Sequence, residues 1–274
     1  MKRIKKWIYS VAGKLSVTLM SVSVLLICLI FSSCGEEFLS IETANTINNI
    51  LIGIATGLIG IVVTVSFVQY AFDKQDEAKE RKFEITAIKR YDKYMRTLIL
   101  KYLMFYLAVT TRLNNRNNVD VENAFNHSFK FSDMADMYLT SAYINENLME
   151  PSIVLFYRYE DKLREYMLRM LENIDFKYNA GLEEILLDFV TKSMDLNMKG
   201  NILGALNTMF GNKKASEEIS KDIANEQNDW LEMYNKGKLK SNTMLPYVIF
   251  YYTIQDQVRL LKKYNDYIIS LDDK

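Results

Sequence analysis

Histidine occurs once in the 274 residues, at position 127, inside the stretch NNRNNVDVENAFNHSF. General-base catalysis by an imidazole needs a nucleophile and an orienting acid within hydrogen-bond reach. Nothing in the local sequence supplies that set, so His127 is expected as an exposed loop residue. The two cysteines, Cys28 and Cys34, are too few for a disulfide framework or a metal cluster. The phosphate-cradling GxxxxGK[ST], the dinucleotide fingerprint GxGxxG and the zincin HExxH are missing as well. Acids such as Glu183 and Glu184 read as solvated charge on helix faces, as do Lys213 with Lys214 and the basic spots Lys236, Lys238 and Lys240. The sequence therefore assigns no catalytic, cofactor-binding or metal-binding residue, and the expectation is a non-enzyme. An enzymatic reading survives only where distant helices would converge acids around a metal, which metal analysis of the purified domain tests.

One spacing does point to an interaction. In ILIGIATGLIGIVVT, Gly53 and Gly57 stand four apart, and Gly60 and Thr64 repeat the interval. On a helix, small residues at this spacing form a groove that lets a second backbone approach closely, as membrane helices do when they associate. The partner is either the first apolar stretch, which offers Ser16, Ser21 and Ser23, or a second copy of the chain.

The elements that would carry this groove are two charge-free stretches, Leu15 to Gly35 and Thr43 to Phe72, separated by GEEFLSIE. A bilayer's hydrocarbon core is about 30 Å thick and takes about 20 apolar helical residues. Both stretches suffice, so the expectation is a transmembrane hairpin with spans at 15–35 and 47–72. A leader at 1–14 precedes it, a short external loop at 36–46 joins the spans, and a cytosolic domain at 73–274 follows. Cationic residues set the orientation. The leader carries Lys2, Arg3, Lys5, Lys6 and Lys14, the loop carries only the acids Glu36, Glu37 and Glu42, and Lys74, Lys79, Arg81 and Lys82 follow the second span. The positive-inside bias then puts both termini in the cytoplasm and the short acidic loop outside. Lys5, Lys6, Trp7 and Tyr70 are placed as anchors at the membrane interface. Neither span holds Asp, Glu, Lys, Arg or His, which argues against a proton relay, a voltage sensor or a charged substrate path.

Cys34 supports a rival reading of the N-terminus. A basic leader, an apolar run and then FSSC resemble a bacterial lipoprotein signal, although phenylalanine stands where leucine is usual. Cleavage there would discard the first span and leave an acylated Cys34 outside the membrane. The second span would still cross.

Beyond Asp73 the expectation is an all-α bundle. No Gly or Pro occurs from Ile61 through Glu150, so the second span can continue as a stalk helix. Phe83, Ala87, Tyr91, Tyr94, Leu98 and Tyr102 recur at helical spacing as its inward face. LILKYLMFYLAV reads as buried, the Asn-rich segment as a loop, and Ser132 to Ile144 as a helix. Pro151 opens the clearest helix, with Phe156, Tyr159, Leu163, Tyr166, Met170 and Ile174 on one face. Helices are expected over Glu183 to Lys199 and Ile202 to Phe210, each ended by a glycine cap at Gly200 or Gly211. Ser216 to Tyr234 and Pro246 to Ser270 complete the bundle. No alternation long enough to build a sheet is present. Charges balance at 34 against 34, so nothing demands a nucleic acid.

The hairpin, the run NILIGIATGLIGIVVTVSF and the charged continuation QYAFDKQDEAKERKFE resemble a broad group of bacterial two-span membrane proteins, including anti-phage membrane effectors. The resemblance covers the first third of the chain. It implies an effector whose hairpin self-associates to perturb the bilayer when the cytosolic domain meets a partner protein or ligand. The alternative is a constitutive anchor or scaffold that recruits a partner protein through residues 73–274.

Overall fold

The computed structural model describes residues 11–31, 41–140, 150–227, 229–240 and 242–272. Lys5, Lys6, Trp7 and Cys34, the acids Glu36 and Glu37, and the end of the helix expected over Ser132 to Ile144 lie outside the described residues. The chain divides into two compact units, Met1–Lys82 and Phe83–Lys274.

The first unit holds α1 (Val11–Phe31) and the N-terminal part of α2 (Ile41–Val109), a helix of 69 residues. Both helices are long and apolar enough to cross a membrane. α1 begins four residues before the expected span, and α2 begins at Ile41 rather than at Ile47. Glu42 therefore sits in the first turn of α2, where a carboxylate suits the positive end of the helix dipole. The sheltered positions of each helix form one stripe. On α2 they include Asn48, Leu51, Ala55, Leu58, Val62, Val65 and Gln69, at alternating steps of three and four, with Ile59 and Ser66 beside them. On α1, Gly13, Ser16 and Ser23 are buried, with Leu19, Leu26 and Ile30 half-buried. A repeat of three and four is the spacing of a seam between two helices packed side by side.

Among the described residues the second unit is helical apart from one hairpin and an isolated bridge between Thr140 and Pro151. After α2 come three short 3-10 helices, Leu113–Asn118, Val121–Asn126 and Phe131–Asp136, then α3 (Ser152–Asn173), α4 (Ala180–Asp195) and α5 (Lys199–Gly204). Strands β1 (Met209–Phe210) and β2 (Lys213–Lys214) pair antiparallel. α6 (Ala215–Ala224), α7 (Trp230–Asn235) and α8 (Leu245–Asp272) follow. α4 packs along both α3 and α8, and α6 packs on the third 3-10 helix. The core interleaves Phe156, Leu163 and Met170 of α3 with Leu186 and Phe189 of α4 and Ile254, Leu261 and Ile268 of α8. Tyr102 in the C-terminal part of α2 closes it from a further side.

Several expectations shift for local reasons. Phe131–Asp136 is a 3-10 helix followed by turns, so the α-helix expected from Ser132 does not form there. Asp133 returns its carboxylate to the Lys130 backbone N–H at 2.8 Å, which tightens that turn. Gly200 lies inside α5 rather than capping α4: Asn197 turns the chain into a new helix by accepting from Lys199 N–H at 2.9 Å. Gly211, at φ 61°, turns the β-hairpin instead of ending a helix. A two-residue Gly-Asn connection needs positive φ, which glycine supplies at no steric cost. The helix expected over Ser216 to Tyr234 breaks into α6 and α7. Asn225 accepts from Gln227 N–H, and Asp229 caps α7 by accepting from Glu232 N–H at 2.9 Å. Gly237, at φ 67°, then ends α7: its N–H reaches Tyr234 O and the Lys238 N–H reaches Met233 O, a Schellman closure.

Candidate functional site

The glycine groove lies on an open face of α2. A Cβ added at Gly53, Gly57 or Gly60 would meet nothing within 4 Å. The buried Ala55 lies two positions from both Gly53 and Gly57, which turns it about 200° away around the helix. The sheltered stripe and the glycine face are thus opposite sides of α2. Thr64 Oγ1 donates to Gly60 O at 2.9 Å and Thr56 Oγ1 to Ile52 O at 2.8 Å, so these hydroxyls satisfy themselves within the helix. The face therefore offers hydrocarbon and bare backbone, with no donor that needs water. Of the serines expected to meet the groove, Ser16 and Ser23 are buried on α1 while Ser21 is not. Tyr70 is exposed, with the Lys74 ammonium 5.9 Å from its ring centre. Cys28 is an exposed free thiol on α1.

A second cluster, in the Phe83–Lys274 unit, was invisible to hydrophobic spacing. Glu160 on α3 is buried, 3% exposed. One carboxylate oxygen accepts from Ser193 Oγ of α4 at 2.9 Å and from Gln257 Nε2 of α8 at 2.5 Å. Gln257 Oε1 in turn accepts from the Tyr102 hydroxyl of α2 at 2.7 Å. Arg164 reaches Ser193 Oγ at 3.1 Å and Asp161 at 2.7 Å. The second oxygen of Glu160 and the Tyr157 hydroxyl are buried without a hydrogen-bond partner among the described residues. Burial pushes the Glu160 carboxyl above the usual range, against the hydrogen bonds from Gln257 and Ser193 that favour its charged form. Burial likewise raises Tyr102 and Tyr157, with the Glu160 charge adding to both. One acid thus ties four helices together.

Two further acids correct the expected inward face of α2. Phe83 and Tyr94 are 74% and 53% exposed, while Glu84 and Asp92 are buried one or two positions away. Glu84 accepts from Tyr178 N–H and Asn179 Nδ2, each at 2.9 Å. Asp92 accepts from the Tyr264 hydroxyl at 3.0 Å and from Arg96 Nε at 2.5 Å. The stripe runs Glu84, Ile88, Asp92, Met95, Ile99, so the real seam is polar at two of its turns.

His127 is half-buried rather than exposed. Its ring is parallel to Phe129 at 6.0 Å and edge-on to Tyr106 at 5.7 Å, and Nε2 lies 3.4 Å from Thr110 O. A carbonyl partner requires the proton on Nε2, which leaves Nδ1 as the acceptor of the neutral ring. No nucleophile pairs with it in a hydrogen bond among those the structure describes. No three His, Cys, Asp or Glu side chains among the described residues are grouped so as to hold a metal ion. Compared with protein-family models, with curated proteins and with solved structures, the chain matches none.

Proposed function

We propose that this chain is a non-enzymatic membrane effector of the phage-defence type. α1 and the charge-free part of α2 cross a bacterial inner membrane as a hairpin, with both termini in the cytoplasm. The seam positions on the two helices support the hairpin: Ala55 and its three-and-four repeat on α2, and Gly13, Ser16 and Ser23 on α1. Self-association then falls to the opposite face of α2.

The observation that carries this reading is the open glycine face. Gly53, Gly57 and Gly60 stand in line on an apolar helix, nothing fills the space a Cβ would take, and the intervening hydroxyls are satisfied. In lipid there is no hydrophobic drive between helices, and close backbone approach over small residues is what association uses. Copies joined along this face place their hairpins side by side and perturb the bilayer. The C-terminal helical domain senses a protein or ligand and governs the assembly.

Overexpression should depolarise the membrane or admit dye, and Gly57→Leu should suppress both. Full toxicity of the variant would overturn the mechanism. Harmless overexpression of the parent, with a stoichiometric partner bound through residues 73–274, would return the protein to the anchor reading.

A further inference from the structure

We propose that the C-terminal domain holds a small-molecule site between the 3-10 segments and α8, shaped for one anion bearing a flat apolar ring, the chemistry of a nucleoside monophosphate. The inference deepens the reading of this domain as a sensor, and rests on that reading only for what binding triggers.

The site is an open cavity of about 330 Å³ whose lining combines four aromatic rings, the His127 imidazole among them, with two cations and no acid. Half-buried Phe125 and Phe129 from the connecting segment form the apolar wall, backed by the buried Tyr106 of α2. Arg259 and Lys262, one helical turn apart on α8, form the charged side. Ser128 and Gln255 add neutral donors and acceptors suited to a ring edge.

The charges are only partly compensated inside the fold. Lys262 Nζ donates to the neutral amide oxygen of Asn126 at 3.1 Å, which positions the ammonium and leaves its charge whole. Arg259 pairs with Asp256, but Asp256 also pairs with Lys192, so one carboxylate serves two cations. Like charges one turn apart on a helix repel. A cavity edge that keeps them without an acid in its lining is set up for an external anion, and a fork-shaped guanidinium beside an ammonium suits phosphate.

The wall is pre-organised. Phe129 lies edge-on to Tyr251 at 5.2 Å and to Tyr106 at 5.9 Å, and parallel to His127. The Tyr106 hydroxyl donates to His127 O at 3.2 Å, and the Tyr251 hydroxyl to Phe129 O at 3.4 Å. A segment pinned at two carbonyls, those of His127 and Phe129, presents its rings without first having to order them. Fixed aromatic side chains stack well on a nucleobase, whatever its identity. Small-molecule pockets run from about 300 to 1,000 Å³, so this one takes a single nucleotide rather than a dinucleotide or a peptide helix.

The test is titration calorimetry on the full chain in detergent with adenosine monophosphate, and with adenosine and inorganic phosphate as its two halves. The expected result is monophosphate binding at least tenfold tighter than either half. Lys262→Glu and Arg259→Glu should each weaken the monophosphate at least tenfold and leave adenosine unchanged. Phe129→Ala should lower its advantage over phosphate. Circular dichroism checks that each variant folds, and Lys262→Gln gives a milder substitution at the same position. Monophosphate binding no tighter than adenosine, or unchanged in both charge-reversed variants, overturns the site. Binding that leaves vesicle leakage unaltered supports the site and refutes the trigger role. Absent binding, with leakage still blocked by Gly57→Leu, refutes the site and leaves the assembly face standing.

Discussion

Replacing Gly57 by leucine separates folding of one chain from association of several. In the single chain a side chain at this position enters open space, since a Cβ there meets nothing within 4 Å. Leucine is also the better helix former, by about 0.8 kcal/mol relative to glycine in an exposed helix. The monomer should therefore be unharmed or slightly firmer. In an assembly joined through the glycine face, the added atoms fall where a second backbone must lie. Overpacking a close contact costs about 1–3 kcal/mol, which weakens each pairwise association roughly five- to 150-fold. The assay is release of an entrapped, self-quenched dye from vesicles reconstituted with rising amounts of full-length chain. Gly57→Leu should move the leakage curve to higher protein density by that factor while helicity in detergent stays constant. Val63→Leu is the matched control, because Val63 is exposed on the same helix about 120° around from Gly57 and should leave the curve in place. Leakage by Gly57→Leu at the parent's protein density would refute the glycine face as the contact.

Other expectations follow from the second unit. Glu160 is a buried acid with a raised folded pKa, so the folded state holds a proton that the unfolded state releases above about 4.5. Its charge then costs stability progressively as pH rises from there to the folded value, by about 1.4 kcal/mol for each pH unit crossed. Glu160→Gln should remove that slope in urea titrations followed by Trp230 fluorescence, with Trp7 replaced by Phe, and parallel pH dependence in parent and variant would contradict the placement. Tyr102→Phe strips Gln257 Oε1 of its donor and should cost about 1–3 kcal/mol in the same titration. Arg116 is 1% exposed and donates to the carbonyls of Thr111, Asp136 and Thr140, so Arg116→Met should destabilise by about 3–5 kcal/mol, read as a lowered urea midpoint. Gly237→Ala puts a Cβ at φ 67° and should cost about 1–2 kcal/mol.

The sequence by itself determined the composition of the chain's parts. Two long runs without a charge can be only lipid-facing or buried, and the steps of three and four among Phe156, Tyr159, Leu163, Tyr166 and Met170 leave no element but a helix. The glycine spacing at 53, 57 and 60 was legible for the same reason, since it depends only on residues within one turn of each other.

Which face meets what was decided by tertiary structure. Hydrophobic periodicity assigns an acid to solvent, because a lone buried carboxylate is costly. Glu84, Asp92 and Glu160 are inside because their donors arrive from elsewhere: Tyr178 and Asn179, Tyr264, Ser193 and Gln257. Gln257 stands 97 residues from Glu160, and no local pattern encodes such a pairing. That the Ala55 side of α2 is buried and the glycine side open, and the meeting of Phe129 with Lys262 across a cavity, depend likewise on packing. Spacing along the chain fixes what a helix can present, and only its neighbours in space fix what it does present.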